Sequence, residues 1–383
     1  MKNMKLFRLT VILVFLFSIT HFCFAETGVF PKNIVFVTHQ PLSGPAKEYS
    51  DIGKSAQAYF KYVNDQGGVH GRSIELKIID DQLKPYKAKE ELEELTLKND
   101  IFAVFSGIGS KTHQAVYPLL KEQRLPSFFV GSDLPEWTQP LRANVFGFMP
   151  TAETEARVIG KYITEKHTGK EFIIWYPENS VYQRAVKALT KELYSVSAKL
   201  LPGKAGRLNA EWQLIRRNNP DFLVVLGNYT DVMNFLKFSP QINIPMLTGH
   251  ALADSRLTEW LGQKVSERVR VLTAYPLKIE TEHPGQILHK LILSEYAPNL
   301  ALNRWTLYGH AVAELMVEVL NRSGRSLSRQ KAVSAAESIT KWQGKLLPPV
   351  YLDSRNHLVL TTFRVSRITY GRVSHLSGWI DGK

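Results

Sequence analysis

The chain has 383 residues, a formal net charge of +13 and one cysteine. That length exceeds what a single hydrophobic core organises, so two units are expected, and one cysteine excludes an internal disulfide framework or a cysteine-rich metal site. The basic excess favours anionic ligands or surfaces in general. Its residues are scattered, however: Glu and Lys interleave from Lys84 to Lys98, as on a solvated helix face.

Lys2, Lys5 and Arg8 precede an apolar run from Val11 to Phe17 that is too short to span a bilayer. Cys23-Phe24-Ala25 then forms an Ala-x-Ala-like cleavage site before Glu26, and the three features together predict a signal peptide over residues 1–25. Thr20-His21-Phe22 lacks the small residues of a lipid-attachment site. Removal of the leader leaves about 358 residues, no cysteine, and a charge of about +10, since the leader carries three basic residues and no acid.

Ile34-Val35-Phe36-Val37 is a short continuous apolar run and predicts a strand buried on both faces. Gln40-Pro41-Leu42-Ser43-Gly44-Pro45 ends it in a turn. Tyr49, Ile52, Ala56, Tyr59, Phe60 and Val63 then recur at helical spacing. Asn64–Arg72 stops that helix, and Ile74–Ile78 resumes as a strand ending in Asp80-Asp81. This is a βαβ unit whose first loop opens at the carboxyl end of a strand, where open α/β sheets bind ligands.

A strand, Pro-Leu-Ser-Gly-Pro, a helix, Asn-Asp-x-Gly-Gly-Val-x-Gly-Arg and a strand ending Asp-Asp resembles the leucine/isoleucine/valine-type periplasmic binding proteins. Further matches follow in order across nearly the whole mature chain. The resemblance implies a type I periplasmic-binding-protein fold: an α/β molecule of two lobes, each a mainly parallel sheet flanked by helices, joined by hinge crossovers. Relatives often carry a disulfide in the first lobe, and Leu83 and Gly109 occupy the corresponding positions.

Lys84–Lys98 reads as a helix and Ile101–Phe105 as a buried strand, followed by the loop Ser106–Thr112. Ser110 separates Gly109 from Lys111, which breaks the phosphate-loop order. Small residues opening a helix still offer backbone N–H groups and a hydroxyl to an anion. In the resembled family this loop holds the ligand's carboxylate, with Ser110 as the matching serine. Leu125–Val130 is the next strand, and Gly131-Ser132-Asp133 follows it. Asp133 stands where many family members have Thr; it either brings an acid into the cleft or serves as a turn or capping residue. With Leu42, Ser43 and Tyr49, the residues Gly109, Ser110, Gly131, Ser132 and Asp133 make up the first lobe's share of the expected site.

Pro150–Glu155 looks like the first crossing, with Thr151 capping a helix but lacking the Glu or Gln of a capping box. A second α/β series follows: strands at Phe172–Trp175, Phe222–Leu226 and Ile244–Leu247, with helices from about Val181 and Thr230. Val269–Pro276 reads as the return crossing, Ile287–Tyr296, Trp305–Leu320 and Gln330–Ile339 as helices, and Leu346–Tyr351 as the third crossing. A terminal hairpin turns at Tyr370-Gly371. The expected lobes are therefore 30–149 with 277–347, and 150–276 with 348–383.

Tyr182 follows a family-like Asn-x-x-Tyr turn, and Tyr229 follows the next strand; both match positions lining the second lobe's mouth, where a ring with a hydroxyl can orient a solute. His250, in Thr248–Asp254, stands nearest to the acid that amino-acid-binding relatives use for the solute's ammonium. Either Asp133 or Asp254 has taken over that task, or the ligand lacks an α-ammonium. The expectation adopted is an acid or amide without that group, bound more tightly as His250 protonates.

The chain contains no G-x-S-x-G or H-E-x-x-H motif and no Cys/His metal spacing. Ser328–Lys331 fits S-x-x-K without the companion motifs, and Asp80-Asp81 reads as structural. No catalytic residue, metal or cofactor is expected, and no nucleic acid partner. The expected function is a periplasmic solute-binding protein, a monomer, that delivers an amino acid, amide or organic acid to the membrane permease of an ABC importer. Its membrane contact would pass through that permease. The alternatives are a secreted sensor signalling to a membrane receptor and, further off, a secreted hydrolase.

Overall fold

The computed structural model describes residues 26–98, 101–194, 196–204, 206–237 and 243–383. The predicted signal peptide lies outside them. The first sheet is built from β1 (Asn33–Gln40), β2 (Ser73–Asp80), β3 (Ala103–Phe105), β4 (Ser127–Val130) and β5 (Val145–Gly147), with α1 (Ser50–Asp65), α2 (Pro85–Leu97) and α3 (Ser110–Glu122) between them. All its pairings are parallel, in the order β2-β1-β3-β4-β5. Because β1 has β2 on one side and β3 on the other, the chain changes direction there, and the loops after β1 and β3 part to leave a crevice.

The second sheet contains β6 (Glu171–Pro177), β7 (Ser197–Gly203), β8 (Phe222–Val225), β9 (Met246–Thr248), β10 (Val269–Thr273), β11 (Thr362–Thr369), β12 (Arg372–His375) and β13 (Ile380–Asp381). Strands β6 to β10 are parallel, while β11 and its two partners are antiparallel. Helices α4 (Ala152–Lys166), α5 (Ser180–Lys191), α6 (Leu208–Asn218) and α7 (Tyr229–Lys237) accompany it. Helices α8 (Pro284–Tyr296), α9 (Arg304–Ser323) and α10 (Arg329–Glu337) return to the first sheet. The molecule is thus an α/β structure of two mostly parallel sheets flanked by helices.

The closest helix contact is that of α9 on α1. A Cβ on Gly309 would lie 2.1 Å from the Ile52 carbonyl oxygen, so only glycine fits. Ser55 Oγ donates to the Thr306 carbonyl at 2.7 Å across the same contact. At the head of α9 the Asn303 side chain accepts from the Trp305 and Thr306 amides, and Thr306 Oγ1 accepts from the Asn303 amide. This capping box fixes the first turn of the helix at the cleft.

Two features differ from the sequence expectation. Strand β7 and helix α6 are additional: β7 is an edge strand whose Ser197-Ala198-Lys199-Leu200 stretch is largely exposed, so it lacks the apolar run that reveals a buried strand. Residues 342–358, where the third crossing was expected near 346–351, stay against the first lobe. Val350 exchanges hydrogen bonds with Trp342, Leu352 donates to Ile339, and Leu358 bridges Gly147 beside β5. The chain then enters the second sheet at Thr362. The expected boundary at 347–348 therefore lies about ten residues early. The terminal hairpin does turn at Tyr370-Gly371, both at positive φ.

His113, His250, His289 and His310 are among the histidines buried in these cores. Burial holds each imidazole below its ordinary value, His289 to about 4 and His250 to about 3. The unfolded chain binds more protons between roughly pH 6.5 and these depressed values, so stability should decline as pH falls through that window. Glu155 and Glu314, whose carboxyls are raised by burial, act in the opposite direction but are fewer. Urea unfolding from pH 7.5 to 5 should show a falling free energy, by up to about 1.4 kcal/mol per pH unit for each uncompensated histidine. A flat or rising profile would contradict this.

Candidate functional site

Three loops at the carboxyl ends of β1, β3 and β4 form the first lobe's lip. Two of them spring from non-glycine residues held at positive φ, Ser106 (φ 47) and Phe129 (φ 65), a conformation that persists only where packing enforces it. Beneath them lies a buried polar chain: His39 Nδ1 is 3.0 Å from Asp81 Oδ2, and His39 Nε2 is 3.4 Å from His113 Nδ1. A Cβ on Gly107 would strike the His39 ring, so the β3 loop rests directly on this chain. Asp80 accepts from the Ser43 amide and hydroxyl, at 3.2 and 2.5 Å. Both adjacent aspartates are engaged within the lobe, and Ser43 is turned towards Asp80.

On the lip, Ser110 Oγ and Ser132 Oγ are 2.7 Å apart, and Ser132 Oγ also accepts from the Leu134 amide and from Trp137 Nε1. Ser132 is therefore an anchor of its loop, while Ser110 is half-buried. The Gly109 amide donates to the Gly131 carbonyl at 3.2 Å, tying the two loops together. A Cβ on Gly109 would meet Leu83 Cδ2 at 2.8 Å, so the two positions that relatives bridge are in contact here. Asp133 is exposed, and Tyr49 packs its ring 4.4 Å from that of Trp305. Leu42 is partly buried in the β1 loop.

The second lobe contributes a residue absent from the sequence expectation. Glu155, in the first turn of α4, accepts from the His250 amide at 2.8 Å. The residue is half-buried, and surrounding atoms desolvate its carboxyl. That effect, with the Asp133 charge from the opposite lobe, outweighs the His250 N–H and pushes its carboxyl up to about 7. Tyr182, on α5, has its phenol raised by burial and then by Glu155, Asp231 and Asp133. Thr151 caps α4 by accepting from the Thr154 amide, which orients the turn carrying Glu155.

His250 does not present its ring to the crevice. The imidazole is 2% exposed, with Nδ1 3.3 Å from the Leu272 carbonyl and Nε2 3.2 Å from the Tyr275 hydroxyl. Burial, and then Arg304, hold it down to about 3. The expected rise in affinity on His250 protonation therefore has no physical basis: the ring stays neutral, and only its backbone N–H reaches towards the cleft. Asp254 is equally engaged, clamped by Arg256 through two contacts of 3.0 Å. Tyr229 lies further out, 43% exposed and edge-on to Trp260.

Beside the serine loops, rather than over them, a groove of about 610 Å³ runs between the lobes. Glu48, Arg304 and Trp305 line it from the first lobe, Asp254 and Arg256 from the second, and residues 275–279 of the return crossing close it. Sequence reasoning missed Arg304 because it directly follows the capping Asn303 and reads as a first-turn helix residue. Glu155 was passed over for the same reason, as one of two acids in a helix start. Its partner, His250, is 95 residues away.

A profile of the family described as periplasmic binding protein matches residues 36–372. No curated protein sequence matches the chain. Among solved structures, a fatty acid ABC transporter substrate-binding protein from Thermomonospora curvata is similar with a TM-score of 0.70 and 18% identity, over 93% of this chain and 94% of its own. A branched chain amino acid ABC transporter protein from Thermus thermophilus with bound valine gives 0.71 and 16%, over 91% and 97%. A leucine binding protein from Thermotoga maritima gives 0.67 and 16%, over 91% and 98%. At these identities the likeness carries the fold.

The Ser132 hydroxyl yields a stability prediction. Ser132→Ala leaves the indole N–H of buried Trp137 without its acceptor and should cost about 1–3 kcal/mol in urea unfolding. Ser110→Ala removes one hydroxyl from a half-exposed pair and should cost well under half as much. Equal losses would mean that both serines are structural.

Proposed function

The chain belongs to the periplasmic binding protein family, and from that premise we propose that it captures a small solute bearing a cationic group between its lobes. The observation that supports this is the pair Asp133 and Glu155, which approach one crevice from opposite lobes. Among the described residues neither lies within ion-pair distance of a lysine, arginine or histidine. The Asp133 charge adds to the burial that raises the Glu155 carboxyl, and an ammonium placed between the two relieves that repulsion. The expectation of an ammonium-free ligand rested on the His250 ring; with that ring inside the lobe and Glu155 in the cleft, the preference reverses.

Hinge closure follows from the same geometry. A solute touching Asp133 on one lobe and Glu155 and Tyr182 on the other binds the closed arrangement better than the open one, and shifts the population by that difference. In this reading the closed form is what the permease of an ABC importer engages, and the periplasm is where the protein works.

The groups facing Glu155 are Asp133, Tyr182 and the His250 N–H. A bound cation favours the ionised carboxyl, so affinity should rise with pH through about 7 and level off above it. Below that point it should fall by up to about tenfold per pH unit. Native mass spectrometry of the purified chain identifies the co-purifying solute, and calorimetry from pH 5.5 to 8.5 measures its binding. Glu155→Gln should weaken binding tenfold or more and flatten the pH profile. Affinity indifferent to both pH and this substitution would remove the cation from the reading.

A further inference from the structure

Arg304 opens α9 in the first lobe and makes a hydrogen bond to the second. Its Nη1 donates to the Ala251 carbonyl at 3.1 Å. Ala251 lies in the turn after β9, where the Ala253 amide donates to the His250 carbonyl and the Asp254 amide to the Leu252 carbonyl. The Ala251 carbonyl between them accepts from the guanidinium instead. Arg256 lines the same groove but does not cross it: Asp254, in its own lobe, holds it at 3.0 Å.

Each half of this contact is held within its own lobe. In the first, the capping box at Asn303 fixes the turn that carries Arg304. The guanidinium lies 4.8 Å from the Trp305 ring centroid, and the Trp305 ring is 4.4 Å from that of Tyr49. In the second, Glu155 accepts from the His250 amide at 2.8 Å, while the His250 ring is 3.3 Å from the Leu272 carbonyl and 3.2 Å from the Tyr275 hydroxyl. The Arg304 charge also acts on the buried Tyr275 phenol in the return crossing, opposing the rise that burial gives it. A helix head, a turn and a hinge strand thus meet at one guanidinium. A bond between parts already ordered loses little conformational entropy on forming.

We propose that Arg304 is a latch between the lobes, whose bond to the Ala251 carbonyl favours their approach before any solute arrives. This does not rest on the cation site. Separated lobes leave the guanidinium and the carbonyl to water, so the bond counts only as a difference and stays modest for a half-buried group. It acts against the repulsion between Asp133 and Glu155, so that a share of the empty molecules holds the lobes as they stand in this structure. A solute then meets a conformation already populated, and its apparent affinity scales with that share.

Double electron–electron resonance on the mature chain, which contains no cysteine, tests this. Spin labels go on Glu90→Cys in α2 and Thr190→Cys in α5, both exposed positions, and solute carried through purification is removed by unfolding and refolding. The empty wild type should show the separation of this structure, alone or beside a longer one. Arg304→Gln should move the balance towards the longer separation by roughly three- to tenfold. Arg304→Lys, which keeps the charge but loses the fork, should shift it less and in the same direction. Arg256→Gln should match the wild type. A wild type with only the longer separation would overturn the proposal, as would an Arg304→Gln balance equal to that of the wild type. An equal shift in Arg256→Gln would also overturn it, since loss of any charge in the groove would then suffice. If Arg304→Gln folds poorly, Arg304→Lys decides, and a lysine variant indistinguishable from the wild type ends the latch.

Discussion

The contact of Gly309 with the Ile52 carbonyl is the constraint on which the cleft depends. It seats α9 on α1 at backbone distance, and the heads of those two helices carry polar and aromatic groups on that side of the crevice. Tyr49 immediately precedes α1, while Asn303, Arg304 and Trp305 open α9. Asn303 also donates to Asp51 in the first turn of α1 at 2.8 Å, so the two helix starts are locked in register as well as in contact. A side chain at 309 would push α9 outward and take Arg304 away from Ala251. The packing of a helix pair in one lobe thereby sets the position of the guanidinium that reaches the other.

The cleft is distinguished by which charges are left without a partner. Several acids near it are matched: Asp80 by Ser43 and Gln82, Asp81 by His39, Glu153 by Arg184, Asp254 by Arg256. Asp133, Glu155 and Arg304 are not. Structural carboxylates are normally paired when desolvated, because an isolated buried charge is expensive. Unpaired groups of both signs facing one space are the arrangement expected where the missing partner arrives with a ligand. Glu155 and Arg304 each hold the 250–251 segment by a different backbone group.

The sequence conveyed much of the architecture and less of the site, for a physical reason. Strands buried on both faces, such as β1 and β8, announce themselves as apolar runs, and the turn chemistry around Gly44, Gly67–Gly71 and Tyr370-Gly371 marks their ends. The pairing of the Ser110 and Ser132 loops was accessible because both follow adjacent parallel strands. Edge strand β7 was not accessible, since exposure removes its apolar signature. The third crossing was misplaced because Leu346–Tyr351 is apolar enough to look like a strand, yet packs as irregular chain beside Trp342. His250 misled for another reason: a residue's position shows where its backbone runs but not where its side chain points. Here the backbone N–H reaches the cleft while the imidazole turns inward to Tyr275.

In the proposed reading, closure follows from these charges. In an open crevice Asp133 is exposed and its repulsion of Glu155 is moderated by water. As the lobes approach, water leaves and that repulsion grows, so an empty closed state penalises itself. A cation between the acids reverses the sign of the interaction in the same low-dielectric space, where attraction is stronger than in solvent. The neutral His250 ring contributes no charge to this balance, and its contacts to Leu272 and Tyr275 make the floor of the second lobe a fixed surface. In that reading the two carboxyls disfavour closing without a ligand and favour it with one, which is the differential affinity a hinge protein requires.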